Sequence, residues 1–201
     1  TEETIIDAQY KSAEVVGRRV YVGNIKQGGR TYPDRMLRTP VNKFDTFPPF
    51  NFIDIGVNDG EDFVKIESFA DRLLAYKNKT LYIINVGGGS DTQWFLESEH
   101  ANLGVEFHAA VVKTDFGVAW VNKNGLYFYD GSQIRNLQSK ILESSWTGFV
   151  NDDTILGYEP THKHLVVVRD AAASGSTSGD AYVYSFITNN FTFVEGMVDN
   201  A

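Results

Sequence analysis

Alternation of apolar and polar residues, broken by turn-forming pairs, runs through most of the chain. Arg72–Lys77 and Thr80–Val86 flank the polar pair Asn78-Lys79 and predict a tight antiparallel hairpin. The pattern returns in Gly117–Asn122 and Gly125–Tyr129 around Lys123-Asn124, and again in His164–Arg169 followed by Ala181–Ile187. Tyr82 and Tyr127 lie 45 residues apart, and Tyr127 and Tyr182 lie 55 apart. The second interval also becomes 45 once the ten-residue loop Ala171–Asp180 is set aside, and Leu37 stands 45 residues before Tyr82. One supersecondary unit therefore recurs.

Four short strands fill each unit. The second is expected to hold Phe63–Phe69, Arg72–Lys77, Thr80–Val86 and Gln93–Glu99, and the third Phe107–Lys113, Gly117–Asn122, Gly125–Tyr129 and Gln133–Leu137. Repeats of about 40–50 residues with four strands each are the mark of β-propeller blades. The expected fold is all-β, a propeller-like array of about four four-stranded antiparallel blades over 15–57, 62–99, 105–137 and 146–196, within a single domain of residues 1–201. A β-sandwich is the alternative, since it also uses short strands at regular intervals. Helix is expected only as one or two turns in Leu137–Trp146. Thr39–Phe52, with three prolines and four phenylalanines, reads as an extended connector.

Composition supports the strand reading. Aromatic residues make up 13% of the 201 residues, with 14 Phe and 10 Tyr, a bias that suits pleated, half-buried surfaces. Eighteen basic residues against 26 acidic ones leave a formal net charge of −8, which repels nucleic-acid phosphates. The chain has no cysteine, so disulfides, thiolate metal sites and cysteine nucleophiles are excluded. No apolar stretch approaches the roughly 18 residues that span a bilayer, so no membrane span is expected. The start at Thr-Glu-Glu-Thr shows no signal peptide and, with the stop at Val198–Ala201, suggests an excised piece.

Each candidate for chemistry has a plainer explanation. Gly87–Asp91 lacks the helix start and lysine of a phosphate loop and reads as a flexible turn. Asn58-Asp59-Gly60-Glu61-Asp62 is the densest acidic cluster, but its spacing fails the calcium-loop pattern and fits a β-turn. His162 and His164 share one strand face, yet only Glu159 stands near enough to add a zinc ligand, so a solvent-facing turn explains them. Gly175–Gly179 lacks the strand–turn–helix context of a nucleophile elbow. Asp34-Arg35 and Asp71-Arg72 recur at comparable places and suit repeated structural ion pairs. Trp94, Trp120 and Trp146 could stack on sugars, but their places within alternating strands favour core packing. No catalytic residue, cofactor or metal is expected.

The order of motifs carries a resemblance. Arg35-Met-Leu-Arg38 leads to Phe44-Asp-Thr-Phe-Pro48, Asn51-Phe-Ile-Asp-Ile55, Val64–Lys77 and Leu81-Tyr-Ile-Ile84. Gly117-Val-Ala-Trp-Val121, Asn124–Gly131 and Ile134 follow. Residues 34–137 thus resemble the β-propeller region of tail nozzle, or tail stabilisation, proteins of short-tailed bacteriophages. That resemblance implies a non-enzymatic virion component in the phage tail, found in the host cytoplasm during assembly. It implies a ring of copies that contacts portal, adaptor or other tail proteins and lines or closes the DNA exit channel, with DNA passing through unbound. Family members are usually longer, so a small relative or one part of a protein is expected. Phe44, Phe47, Pro48, Pro49, Phe50 and Phe52 are the expected interface residues, because a soluble protein rarely leaves such a patch uncovered. The alternative function is a carbohydrate- or receptor-binding propeller of a tail fibre or bacterial surface protein.

Overall fold

In the computed structural model, residues 9–88, 94–141, 143–170 and 179–197 are described. The Asn78-Lys79 hairpin joins β6 (Arg72–Lys77) to β7 (Thr80–Asn85), with Tyr76 opposite Leu81 and Leu73 opposite Ile84. β5 (Phe63–Phe69) and β8 (Phe95–Ala101) complete that sheet on either side. Before it, β1 (Gln9–Val16), β2 (Arg19–Gln27), β3 (Arg30–Arg38) and β4 (Phe52–Asp54) form a second sheet in sequence order. The third holds β9 (Val111–Lys113), β10 (Val118–Asn122), β11 (Gly125–Tyr129) and β12 (Ile134–Asn136). The fourth holds β13 (Ile155–Glu159), β14 (His164–Val168), β15 (Ala181–Ser185) and β16 (Asn190–Val194).

The chain is therefore all-β, a succession of four four-stranded antiparallel blades. Every strand pairs with its neighbours in sequence, without the strand exchange between sheets that a Greek-key sandwich requires. The first sheet begins at Gln9, six residues before the expected start of its unit, because β1 is mostly exposed and shows no apolar face to read. The expected helix is displaced: Gln138–Lys140 make a 3-10 turn, and α1 spans Glu143–Phe149. Trp146 and Phe149, three residues apart, both point inward from α1, so burial rather than helix propensity sets its position. Most of the polar loop at 171–180 and of the Gly87–Asp91 stretch lies outside the described residues.

By its internal contacts the chain divides into two compact units, Thr1–Val105 and Glu106–Ala201. In each unit the first strands of its two sheets lie against one another, β1 against β5 and β9 against β13. In unit 1 the join is close because position 23 is glycine: a Cβ there would sit 2.8 Å from Ile66 Cδ1. Polar side chains finish the contact. Ile66 N donates to Ser12 Oγ at 2.9 Å, and Ser68 Oγ donates to Glu14 at 2.5 Å. The unit 1 core gathers Tyr21, Met36, Phe63, Ile66, Leu73 and Ile84 around the join. In unit 2, Trp120, Phe128, Trp146, Leu165 and Val167 are buried, and the Phe149 and Tyr182 rings meet edge to face at 4.7 Å.

Candidate functional site

The acidic cluster 58–62 is the turn region between the two sheets of unit 1, and the Asp59 and Glu61 carboxylates are engaged within the chain. Lys77, at the end of an apolar strand, has a side chain with 0% exposure. Its ammonium donates to Asp34 Oδ1 at 2.6 Å, Asp59 Oδ2 at 2.7 Å and the Gly56 carbonyl at 3.0 Å. Three N–H bonds thus meet three acceptors. The rings of Phe63 and Tyr82 flank the charge at 5.4 and 5.7 Å. The second oxygen of Asp34 accepts from Asn58 N at 3.2 Å, and the Tyr82 hydroxyl donates to Asp59 Oδ2 at 3.3 Å. Burial, aided by the Glu99 and Asp59 carboxylates, pushes that hydroxyl up to about 12.

Local backbone irregularities build this clasp. The β2–β3 register breaks between Gly23 and Ile25, leaving Asn24 opposite Pro33–Arg35. Asn24 takes the left-handed conformation, φ +57°, which asparagine tolerates better than most residues, and its amide reaches the Phe63 carbonyl at 3.2 Å. A second shift lies between Phe63 and Lys65, with Phe63 directly opposite Lys77. Gly56, at φ +63°, brings its carbonyl to the ammonium where any Cβ would lie 2.3 Å from Asp59 Oδ2 and 2.5 Å from the Tyr82 hydroxyl. Glu61 faces the neighbouring hairpin, accepting from Lys79 N at 2.6 Å, Thr80 N at 3.0 Å and Thr80 Oγ1 at 2.9 Å. Asp59 and Glu61 thus both have a structural task.

This arrangement holds the sheets together and offers no chemistry to a substrate. An ammonium with all three N–H groups engaged has no lone pair for attack, and no substrate reaches a fully buried group. The sequence marked Asp59 and Glu61 as a turn and Asp34 as part of a structural ion pair, but missed Lys77 as the partner of both carboxylates. A lysine bordering an apolar strand reads as the start of a polar turn, and only its register opposite Phe63 betrays the burial.

The other expected residues fall in different places. Phe47 packs against the small core cluster of Val22, Ile25 and Leu37, and Pro48 and Pro49 are half-buried beside it. Phe44 and Phe52 are exposed, and Phe50 stands 91% exposed. The segment therefore splits into a half-buried anchor at Phe47 and an outward aromatic group before and on β4. His162 and His164 stack at 5.8 Å at the β13–β14 turn, where Glu159 accepts from His162 N at 2.7 Å. Among the described residues no group of three or more His, Cys, Asp or Glu could hold a metal ion. Trp120 and Trp146 are buried, and Trp94 packs between Tyr21 and the Arg38 guanidinium, 5.6 and 4.8 Å away. The recurrent arginines are paired: Arg35 with Asp54 at 2.7 Å and Arg72 with Glu97 at 2.6 Å. No helix among the described residues is long and apolar enough to cross a membrane.

No protein-family model matches the chain, and neither does any curated protein. Among solved structures it is similar to the N-terminal domain of Nup159, with a TM-score of 0.47 and 7% sequence identity. That likeness covers 96% of this chain and 45% of the other, so the chain spans less than half the length of the structure it matches.

Proposed function

We propose that this chain is a non-enzymatic structural protein of a short-tailed phage virion, a tail nozzle component that assembles with copies of itself and with other tail proteins. The reading rests on the outer strands of unit 1. β4 and β8 are the free edges of their sheets among the described residues, and both carry exposed apolar side chains. Phe52 stands on the first edge, with Phe44 and Phe50 exposed in the segment leading to it, and Phe95 and Leu96 stand on the second. Open strand edges with aromatic residues invite pairing with another chain, and soluble proteins usually blunt them. Neighbouring copies, or portal and adaptor proteins, would cover them. An acidic wall, consistent with the net charge of −8, would let DNA slide past without adhering.

Electron microscopy of the virion and of the purified protein tests this reading. Density for the chain in the tail, together with concentration-dependent oligomers in sedimentation, is the expected result. Monomers at every concentration with no tail-associated density would sink it.

A further inference from the structure

Unit 2 contains a cleft of about 260 Å³ between its two sheets, apart from the edges discussed above. Phe128 and Arg135 line one side and Tyr184, Phe186 and Asn189 the other, with Phe116 at the mouth. Phe186 is the hub of its apolar wall. Phe116, Phe128 and Tyr184 meet it edge to face at 5.5, 5.0 and 5.4 Å, an arrangement that fixes all four rings. Phe116 is 45% exposed, and the Arg135 side chain is 52% exposed, so the cleft opens to solvent at its rim.

Its polar groups are few and aimed. The Arg135 guanidinium lies 5.5 Å over the Phe128 ring. Its nearest anion among the described residues is Asp130, at 3.4 Å. The other oxygen of Asp130 is taken by Ser132 N and Gln133 N, so this pairing is long and one-sided. Arg135 retains donors for a two-pronged grip on an incoming carboxylate. Asn189 holds a left-handed backbone, φ +51°, and its Oδ1 accepts from the Tyr184 hydroxyl at 3.0 Å. That bond leaves the amide NH2 as a donor, with no partner among the described residues. Lys140 Nζ donates to the Asn189 carbonyl and adds a second cation near the rim.

We propose that this cleft captures the C-terminus of a partner polypeptide ending in an aromatic residue, with the ring against Phe116 and Phe186 and the carboxylate on Arg135. Size favours one side chain, since pockets for drug-sized ligands start at about 300 Å³ and enclose most of the molecule. An open rim suits a chain end whose preceding residues run out into solvent. Two cations against one carboxylate at the rim supply the charge complement.

Titration of the full chain with the tripeptide Ala-Ala-Phe, followed by amide chemical shifts, is the test. Saturable binding is expected on the order of 1 mM, centred on β11, β12 and β15, as befits so small a ligand. The C-terminal amide of the same peptide is expected to bind about 10-fold more weakly, since it lacks the charge-assisted contact. Arg135→Gln should weaken the acid by a similar factor and leave the amide unchanged, and Phe186→Leu should weaken both. Dispersed amide spectra of each variant verify folding. Equal binding of acid and amide, an unaltered Arg135→Gln titration, or phenylacetate binding more tightly than the tripeptide would each overturn the proposal. The amide comparison uses the unmodified chain, so it decides the matter even if a variant unfolds.

Discussion

Replacing Lys77 by alanine leaves Asp34 and Asp59 facing one another across an emptied, part-buried site. Removing one partner from a buried ion pair costs about 3–5 kcal/mol, and a loss of that size is expected in urea denaturation. Gly56→Ala attacks the same clasp from the backbone, through both its left-handed φ and the clash of its Cβ with Asp59 and Tyr82. Two single residues report by pH. Tyr82 titrates at about 12 when folded, above its ordinary value near 10, so the unfolded chain loses that proton first. Its contribution is complete below pH 10 and is lost as pH rises towards 12, and Tyr82→Phe should remove that part of the alkaline decline. Asp130 runs the other way. The Gln133 and Ser132 N–H groups hold it at about 2, so its contribution is present above the ordinary carboxylate range and fades as pH falls through 2. Asp130→Asn should flatten the acid limb of stability against pH.

Among the elements, hairpins were the most legible in the sequence. Asn78-Lys79 and Lys123-Asn124 sit between strands whose apolar alternation is uninterrupted, and the strands ended within a residue or two of expectation. Elements that bury little were not legible. β1 shows no alternation because most of it faces outward, and the three-residue β4 hides in a proline-rich segment. Bulges explain the missed clasp: two register shifts turn side chains off the face that strict period-2 counting assigns. A third shift, opposite Ile83 and Ile84 on β8, sets Glu97 against Arg72 and Asn85. The exposed side chains along β4 and β8 contribute little within the chain. Phe50→Ser and Phe95→Ser should therefore change stability by no more than about 0.5 kcal/mol, while lowering self-association in sedimentation. Unchanged oligomers in the double variant would remove these edges from the assembly.

At the scale of the whole molecule, the two units carry separate cores and separate polar fastenings. Unit 2 has an exposed counterpart of the clasp, where Asp115 accepts from Lys163 at 2.6 Å and Tyr158 at 3.0 Å. Hydrogen exchange on the Lys77→Ala variant should show faster amides in β2–β7 and unaltered protection in β10–β15. A net charge of −8 sets the sign of a second effect. Copies of an acidic chain repel one another, and salt screens that repulsion over about 8 Å at physiological strength. Self-association through apolar edges should therefore strengthen as salt is raised. An assembly held by ion pairs would weaken instead.

The clasp also sets an order of events during synthesis. Asp34 leaves the ribosome long before Lys77, so the first sheet emerges with a carboxylate waiting for a cation more than forty residues away. A nascent chain stalled before residue 77 should then hold its first sheet loosely. Arrest only after β8, ending at Ala101, has left the ribosome should let both sheets lock in one step, and pulse proteolysis of arrested chains would register the jump.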